Sequence, residues 1–239
     1  MNPAEENKGV IFFSLFGVDI FIHPISWLML AILGGALDIS TGSDLSRVFI
    51  FVAYGMLCLL VHELGHALAG KWITGYHPYI EIAGLGGLTS LPVQPRTRAG
   101  YAAVTAAGPL ASLLLGVFGA LVFGLHIGNV GDGLWAFVSV PTCFMVPQEA
   151  ASLPPTVLTC YITLFLVTFW WSVFNLLPVY PLDGGRLLAT FLPSPKPVFI
   201  LGLVLAGALT LWSAVNGHWF NFMIAGYLAW LNVRYLKRS

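Results

Sequence analysis

Long apolar runs recur along this chain and decide what it can fold into. Thr156 to Leu177 is 22 residues without a charged side chain, and largely apolar stretches of similar length run from Val48 to Ile73, Tyr101 to Leu125, Val198 to Val215 and Trp219 to Leu236. A helix of about 20 apolar residues crosses the ~30 Å hydrocarbon core of a bilayer, and in lipid only helices and closed barrels satisfy every backbone hydrogen bond internally. Ile25 to Leu37 is a shorter sixth run, which needs part of Phe21 to His23 or a thinned bilayer to cross. With 58% hydrophobic and 8% charged residues and a mean hydropathy of +0.86, the expected fold is an all-α polytopic membrane protein with about six transmembrane helices.

The charges orient such a chain. With six spans, Lys8, Lys71, Arg96, Arg98, Arg186, Lys196, Arg234, Lys237 and Arg238 fall on one side and Arg47 alone on the other, so both termini are expected in the cytoplasm. A formal net charge of zero with no basic patch argues against a nucleic-acid partner. Cys58, Cys143 and Cys160 form no CxxC pair and read as packing residues. Met1 to Lys8 lacks the basic start and short apolar core of a removable signal peptide.

Between the runs, three segments carry other patterns. Gly9 to His23 is rich in Phe, Ile and Val and reads as one or two short strands. Tyr79 to Leu91 mixes alternation with Gly84, Gly86 and Gly87, the mark of two short strands around a tight turn, so a small membrane-associated β-hairpin or sheet is expected beside the helices. Its apolar character fits a hairpin dipping into the membrane against protein or a wet cavity, and an ordinary surface hairpin fits the same letters. His126 to Pro155, with four prolines and no Lys or Arg, reads as a loop lying partly in the interface. In the third run, Gly108, Ser112, Gly116, Ala120 and Gly124 recur every four residues, a small-residue face that lets another helix approach closely.

Into the second run is set His62-Glu63-Leu64-Gly65-His66, and residues 62, 63 and 66 are its strongly polar positions before Lys71. Side chains four apart on a helix share a face, so His62 and His66 can offer both imidazoles to one metal ion, the zincin spacing. Glu63 is placed to serve as a general base for water rather than as a ligand. Ionisable groups inside a membrane helix are costly and usually mark a function. A catalytic zinc site needs a third protein ligand. The assigned topology puts Glu149, His126 and His218 on the far side, Glu81 in the hairpin reads as facing water, and His23 reads as a helix-start residue. Asp183, the only carboxylate between Glu149 and the C-terminus, is the best remaining choice.

His62-Glu63-Leu64-Gly65-His66 followed by Asn175-x-x-Pro178-x-x-x-x-Asp183-Gly184, with Gly108-x-x-x-Ser112 between, resembles the site-2 protease family of intramembrane zinc metalloproteases. The resemblance implies that His62, His66 and Asp183 bind one zinc ion per chain and that Glu63 activates water. It implies that Asn175 holds the substrate or its oxyanion. It also implies that the hairpin with Gly84, Leu85, Gly86 and Gly87 receives an unwound transmembrane protein substrate as an added strand. The expected organisation is a single protease domain over residues 1–239, with its core at 9–186, an added helical hairpin at 198–236, and no residues left for a PDZ or CBS domain. Substrate choice would then rest on a membrane partner or adaptor, a prior cleavage, or instability of the substrate helix within the lipid. Two other readings of the residues stay open: a metal-binding transporter or sensor, and an inactive scaffold.

Overall fold

The computed structural model describes residues 10–238, so the expectations resting on Met1 to Lys8 lie outside it. Four short strands come together at one end of a helical body. They are β1 (Ile11–Leu15), β2 (Val18–Ile22), β3 (Tyr79–Ala83) and β4 (Gly86–Ser90), in spatial order β1-β2-β3-β4. Alternation puts Val18, Ile20, Ile22, Ile80 and Ile82 on one buried face. That face packs on Met56, Leu59, Leu64 and Ala67 of α2 (Gly42–Thr74). The outer pairs are antiparallel hairpins, while β2 and β3 run parallel with Ile20 opposite Ile80. A parallel pair needs a long crossover, which α1 (Pro24–Leu33) and α2 supply. Gly84 turns the second hairpin with φ of 65°, a conformation side chains disfavour.

The remaining helices are α3 (Arg98–Ile127), α4 (Val130–Cys143), α5 (Pro155–Asn175), α6 (Asp183–Phe191), α7 (Lys196–Val215) and α8 (Trp219–Arg238). Among the described residues, α2, α3, α5 and α7 are long and apolar enough to cross a membrane. The protein is thus a mostly helical, multi-pass integral membrane protein with a small sheet. Two expected spans fall outside that group. With 10 residues, α1 is about 15 Å long, and it stops at Gly34 rather than continuing to Leu37. The 20 residues of α8 include Asn221, Asn232, Arg234, Lys237 and Arg238, which dilute its apolar character.

Two boundaries differ from the sequence reading for local reasons. The second apolar run starts at Val48, yet α2 begins six residues earlier, at Gly42. Thr41 accepts from the Asp44 backbone N–H while Asp44 Oδ2 accepts from the Thr41 N–H at 2.9 Å, a capping box that hydropathy does not register. The loop expected over His126 to Pro155 instead holds α4 and a 3-10 turn at Gln148–Ser152. Asn129 Oδ1 caps α4 by accepting from the N–H groups of Gly131 and Asp132, and Pro141 falls in its last turn. Ala136, Phe137 and Val140 then pack with Ala120 and Phe165, with the Phe137 and Phe165 rings 5.9 Å apart, edge to face. The small-residue face of α3 behaves as its spacing predicts. Gly108, Ser112, Gly116, Ala120 and Gly124 are all buried, and at the three glycines neighbouring side chains or backbone occupy the room a Cβ would take.

Candidate active site

The helix α2 stacks His62 above His66, and the first turn of α6 brings Asp183 to them from 117 and 121 residues away in sequence. His62 Nε2 lies 3.1 Å from Asp183 Oδ2, His66 Nε2 lies 3.2 Å from the same oxygen, and the two Nε2 atoms are 3.2 Å apart. Ligand atoms about 2.0–2.1 Å from a zinc ion at tetrahedral corners stand about 3.3 Å apart, so the triangle has the dimensions of three corners of such a site.

The far side of each ring decides what the triangle is made of. His66 Nδ1 donates to the Val104 carbonyl at 2.8 Å, which leaves Nε2 of the neutral ring as a lone pair. His62 Nδ1 lies 3.3 Å from Ser112 Oγ, whose own proton has the Gly108 or Pro109 carbonyl to go to, both at 3.2 Å. With both Nδ1 atoms engaged away from the triangle, two imidazole Nε2 atoms and a carboxylate oxygen converge in a buried place, an arrangement that a bound metal ion satisfies, and outer hydrogen bonds of this kind orient histidine ligands. Among the described residues this His62, His66 and Asp183 cluster is the group fit to hold a metal.

Glu63 lies beside the histidine pair, in reach of the sheet. Thr89 Oγ1, on β4, donates to Glu63 Oε2 at 2.7 Å, or to the Glu63 carbonyl at 3.1 Å. Gly87 lies directly on the Glu63 side chain, and any Cβ there would overlap the carboxylate. Gly108 does the same for His66: a Cβ would overlap the imidazole at its ligating edge. Gly108→Ala is therefore expected to weaken metal binding at this cluster by about 10- to 100-fold, the range for disturbing what orients a ligand, as read by chelator competition.

These groups line one cavity of about 320 Å³. Its wall includes His62, Glu63, His66, Asp183 and Asn175, with Leu85, Gly86 and Gly87 from the hairpin. Gly84 sits at the turn and is not part of that wall. Asn175 Nδ2 donates to the Trp171 carbonyl at 2.9 Å, a bond that uses one of its two amide protons. Glu81, expected to face water, is 43% exposed at its side chain and also pairs with His23 Nε2 at 2.7 Å, so both rejected candidates are occupied with each other.

Sequence reasoning missed several wall residues. Thr89 has no signal of its own, since a threonine in a strand is ordinary. Trp171, whose ring meets His62 edge-on at 6.3 Å, reads as one more apolar residue of a span. The Val104 carbonyl is invisible to side-chain patterns; Ser112, behind His62 rather than in the wall, was flagged by its motif and its size but not as a partner of His62.

Residues 50–206 match the family model for peptidase family M50. The chain is 25% identical over 186 residues to a zinc metalloprotease of Methanocaldococcus jannaschii, covering 78% of this chain and 46% of that protein. It is 28% identical over 194 residues to a Synechocystis sp. protein provisionally named a zinc metalloprotease, covering 76% and 44%. The chain spans about half the length of these curated relatives. A solved site-2 protease from Methanocaldococcus jannaschii shares the fold, with a TM-score of 0.60 over 95% of both chains at 19% identity. The family match runs unbroken through α2, α3, α5 and α6 and so contains the histidine pair and the distant aspartate alike; on that match, this chain belongs to peptidase family M50.

Proposed function

We propose that this protein is an intramembrane zinc metalloendopeptidase, hydrolysing a peptide bond within or near a transmembrane segment of a membrane-protein substrate. The observation that carries the reading is the triangle of His62, His66 and Asp183 acceptors with Glu63 beside it in one cavity. His62, His66 and Asp183 would hold one zinc ion, which when bound polarises a carbonyl and makes water acidic enough to react near neutral pH.

The chain's own residues do the rest. Glu63, with Oε2 held by Thr89, takes the proton of the attacking water and passes it to the leaving amine. Asn175 has an amide proton to donate to the scissile carbonyl oxygen as charge builds there. A peptide bond in a transmembrane helix has its carbonyl already bonded, so cleavage needs an unwound segment whose lost hydrogen bonds are replaced. The edge of β4 at Gly86 and Gly87, with Gly84 and Leu85 forming the turn, supplies that replacement by strand addition. The positive-inside bias supports cytoplasmic termini, and α1 and α8 would complete six crossings. A membrane partner or adaptor would select the substrate.

The test is cleavage in lipid vesicles of a co-reconstituted single-span protein whose helix contains a glycine or proline, with the cut mapped by mass spectrometry. A cut inside or beside the span, abolished by a chelator and restored by zinc, is expected. Zinc-loaded, folded protein that cuts none of a panel of such substrates would favour a metal-binding membrane protein without proteolytic activity.

A further inference from the structure

Asn232 is fully buried in α8, an amide held where α8 packs on α7. Its Nδ2 donates to the Leu228 carbonyl at 2.8 Å on its own helix and to the Tyr180 carbonyl at 2.6 Å in the segment before α6. Two carbonyl acceptors fix which end of the amide is nitrogen. Its Oδ1 lies against Gly202 of α7 and has no hydrogen-bond partner. A buried amide with an unsatisfied oxygen costs stability, and a leucine would pack there without that cost. What distinguishes the asparagine is the bond that leaves its helix.

Tyr180 is gripped from both helices of the hairpin. Its ring lies 5.2 Å from Phe199 on α7 and 4.6 Å from Tyr235 on α8, while Asn232 takes its carbonyl. The packing of this hairpin on the rest of the protein is centred on the same segment, with Ala206 and Leu228 against Val179, Phe174, Leu177 and Leu182. From there to the metal centre the contact is backbone on backbone. Gly185 lies on the backbone of Val179 and Tyr180, and Gly184 lies on the carbonyls of Leu176 and Leu177, with no room for a Cβ at either. Leu182 N–H also donates to the Val179 carbonyl at 2.9 Å. With no compliant side chain between them, a shift of Tyr180 is passed directly to the first turn of α6, where Asp183 stands.

We propose that Asn232 is a positioning residue for the metal centre: by holding the Tyr180 carbonyl it sets the start of α6 so that Asp183 Oδ2 meets both imidazoles. The α7–α8 hairpin is then a clamp on the third ligand, and Asn232 lies beyond the residues that match the family model. The inference rests on the zinc reading of the site.

The experiment measures zinc affinity of the full chain in detergent by chelator competition, and the visible spectrum after cobalt substitution. The chains compared are wild type, Asn232→Leu, Asn232→Ser and the control Thr210→Val, which removes a hydroxyl bonded only to its own helix. The Asn232 variants are expected to bind zinc about tenfold more weakly and to show altered cobalt bands, at unchanged helical circular dichroism, while Thr210→Val matches wild type. Wild-type affinity and spectrum in either folded Asn232 variant would overturn the proposal. Loss of the helical signal in both would overturn it too, making Asn232 a folding residue. A wild-type chain that takes up neither metal would instead overturn the zinc reading, and this proposal with it.

Discussion

Glu63→Gln is expected to lower the rate of substrate cleavage by about 10²- to 10⁴-fold, the span associated with losing a positioned general base. Zinc per chain should be unchanged. The glutamine keeps the volume of the glutamate, so it sits beneath Gly87 as before, and its amide can still engage Thr89 Oγ1. It cannot accept the proton of water. Glu63 also stands apart from the triangle of ligand atoms, so elemental analysis and cleavage should separate in this variant. Cleavage retained at more than a tenth of the wild-type rate would show that the proton goes elsewhere.

Asp183→Asn is expected to do the reverse, acting first on the metal. A neutral carbonyl oxygen replaces the one anionic corner of the triangle, while His62 and His66 keep their outer hydrogen bonds to Ser112 and Val104. Zinc affinity should fall by more than about 100-fold, beyond the 10- to 100-fold typical of losing a partner behind a ligand. Cleavage falls with it and returns only in part at high zinc. Equal zinc content in wild type and variant at limiting metal would remove Asp183 from the site, leaving the convergence of its carboxylate on two imidazoles to be explained some other way.

What the letters revealed of this site follows from how locally each part is determined. His62, Glu63 and His66 are set by the period of one helix, so their common face is legible from spacing alone. Asp183 emerged by elimination and by resemblance, because only the assembled bundle brings α6 to α2. Thr89 and the Val104 carbonyl act through positions that no residue pattern encodes. The same contrast governs the fold. Apolar runs marked α3, α5 and α7 nearly to their ends, whereas α2 starts early through a capping box and α4 was hidden by prolines that terminate it instead of preventing it. The pairing of β2 with β3 joins strands on either side of two helices, and neither strand alone announces its partner.

The 121 residues that separate His62 from Asp183 have a consequence for biosynthesis. At translation rates of about 5–20 residues per second, roughly 6–24 seconds pass between synthesis of the first ligand and synthesis of the last. During that interval α2 is already made with two ligands and a base, but the third corner of the site does not yet exist. The proposed hydrolase would thereby be inert while α3, α4 and α5 are still being inserted beside α2.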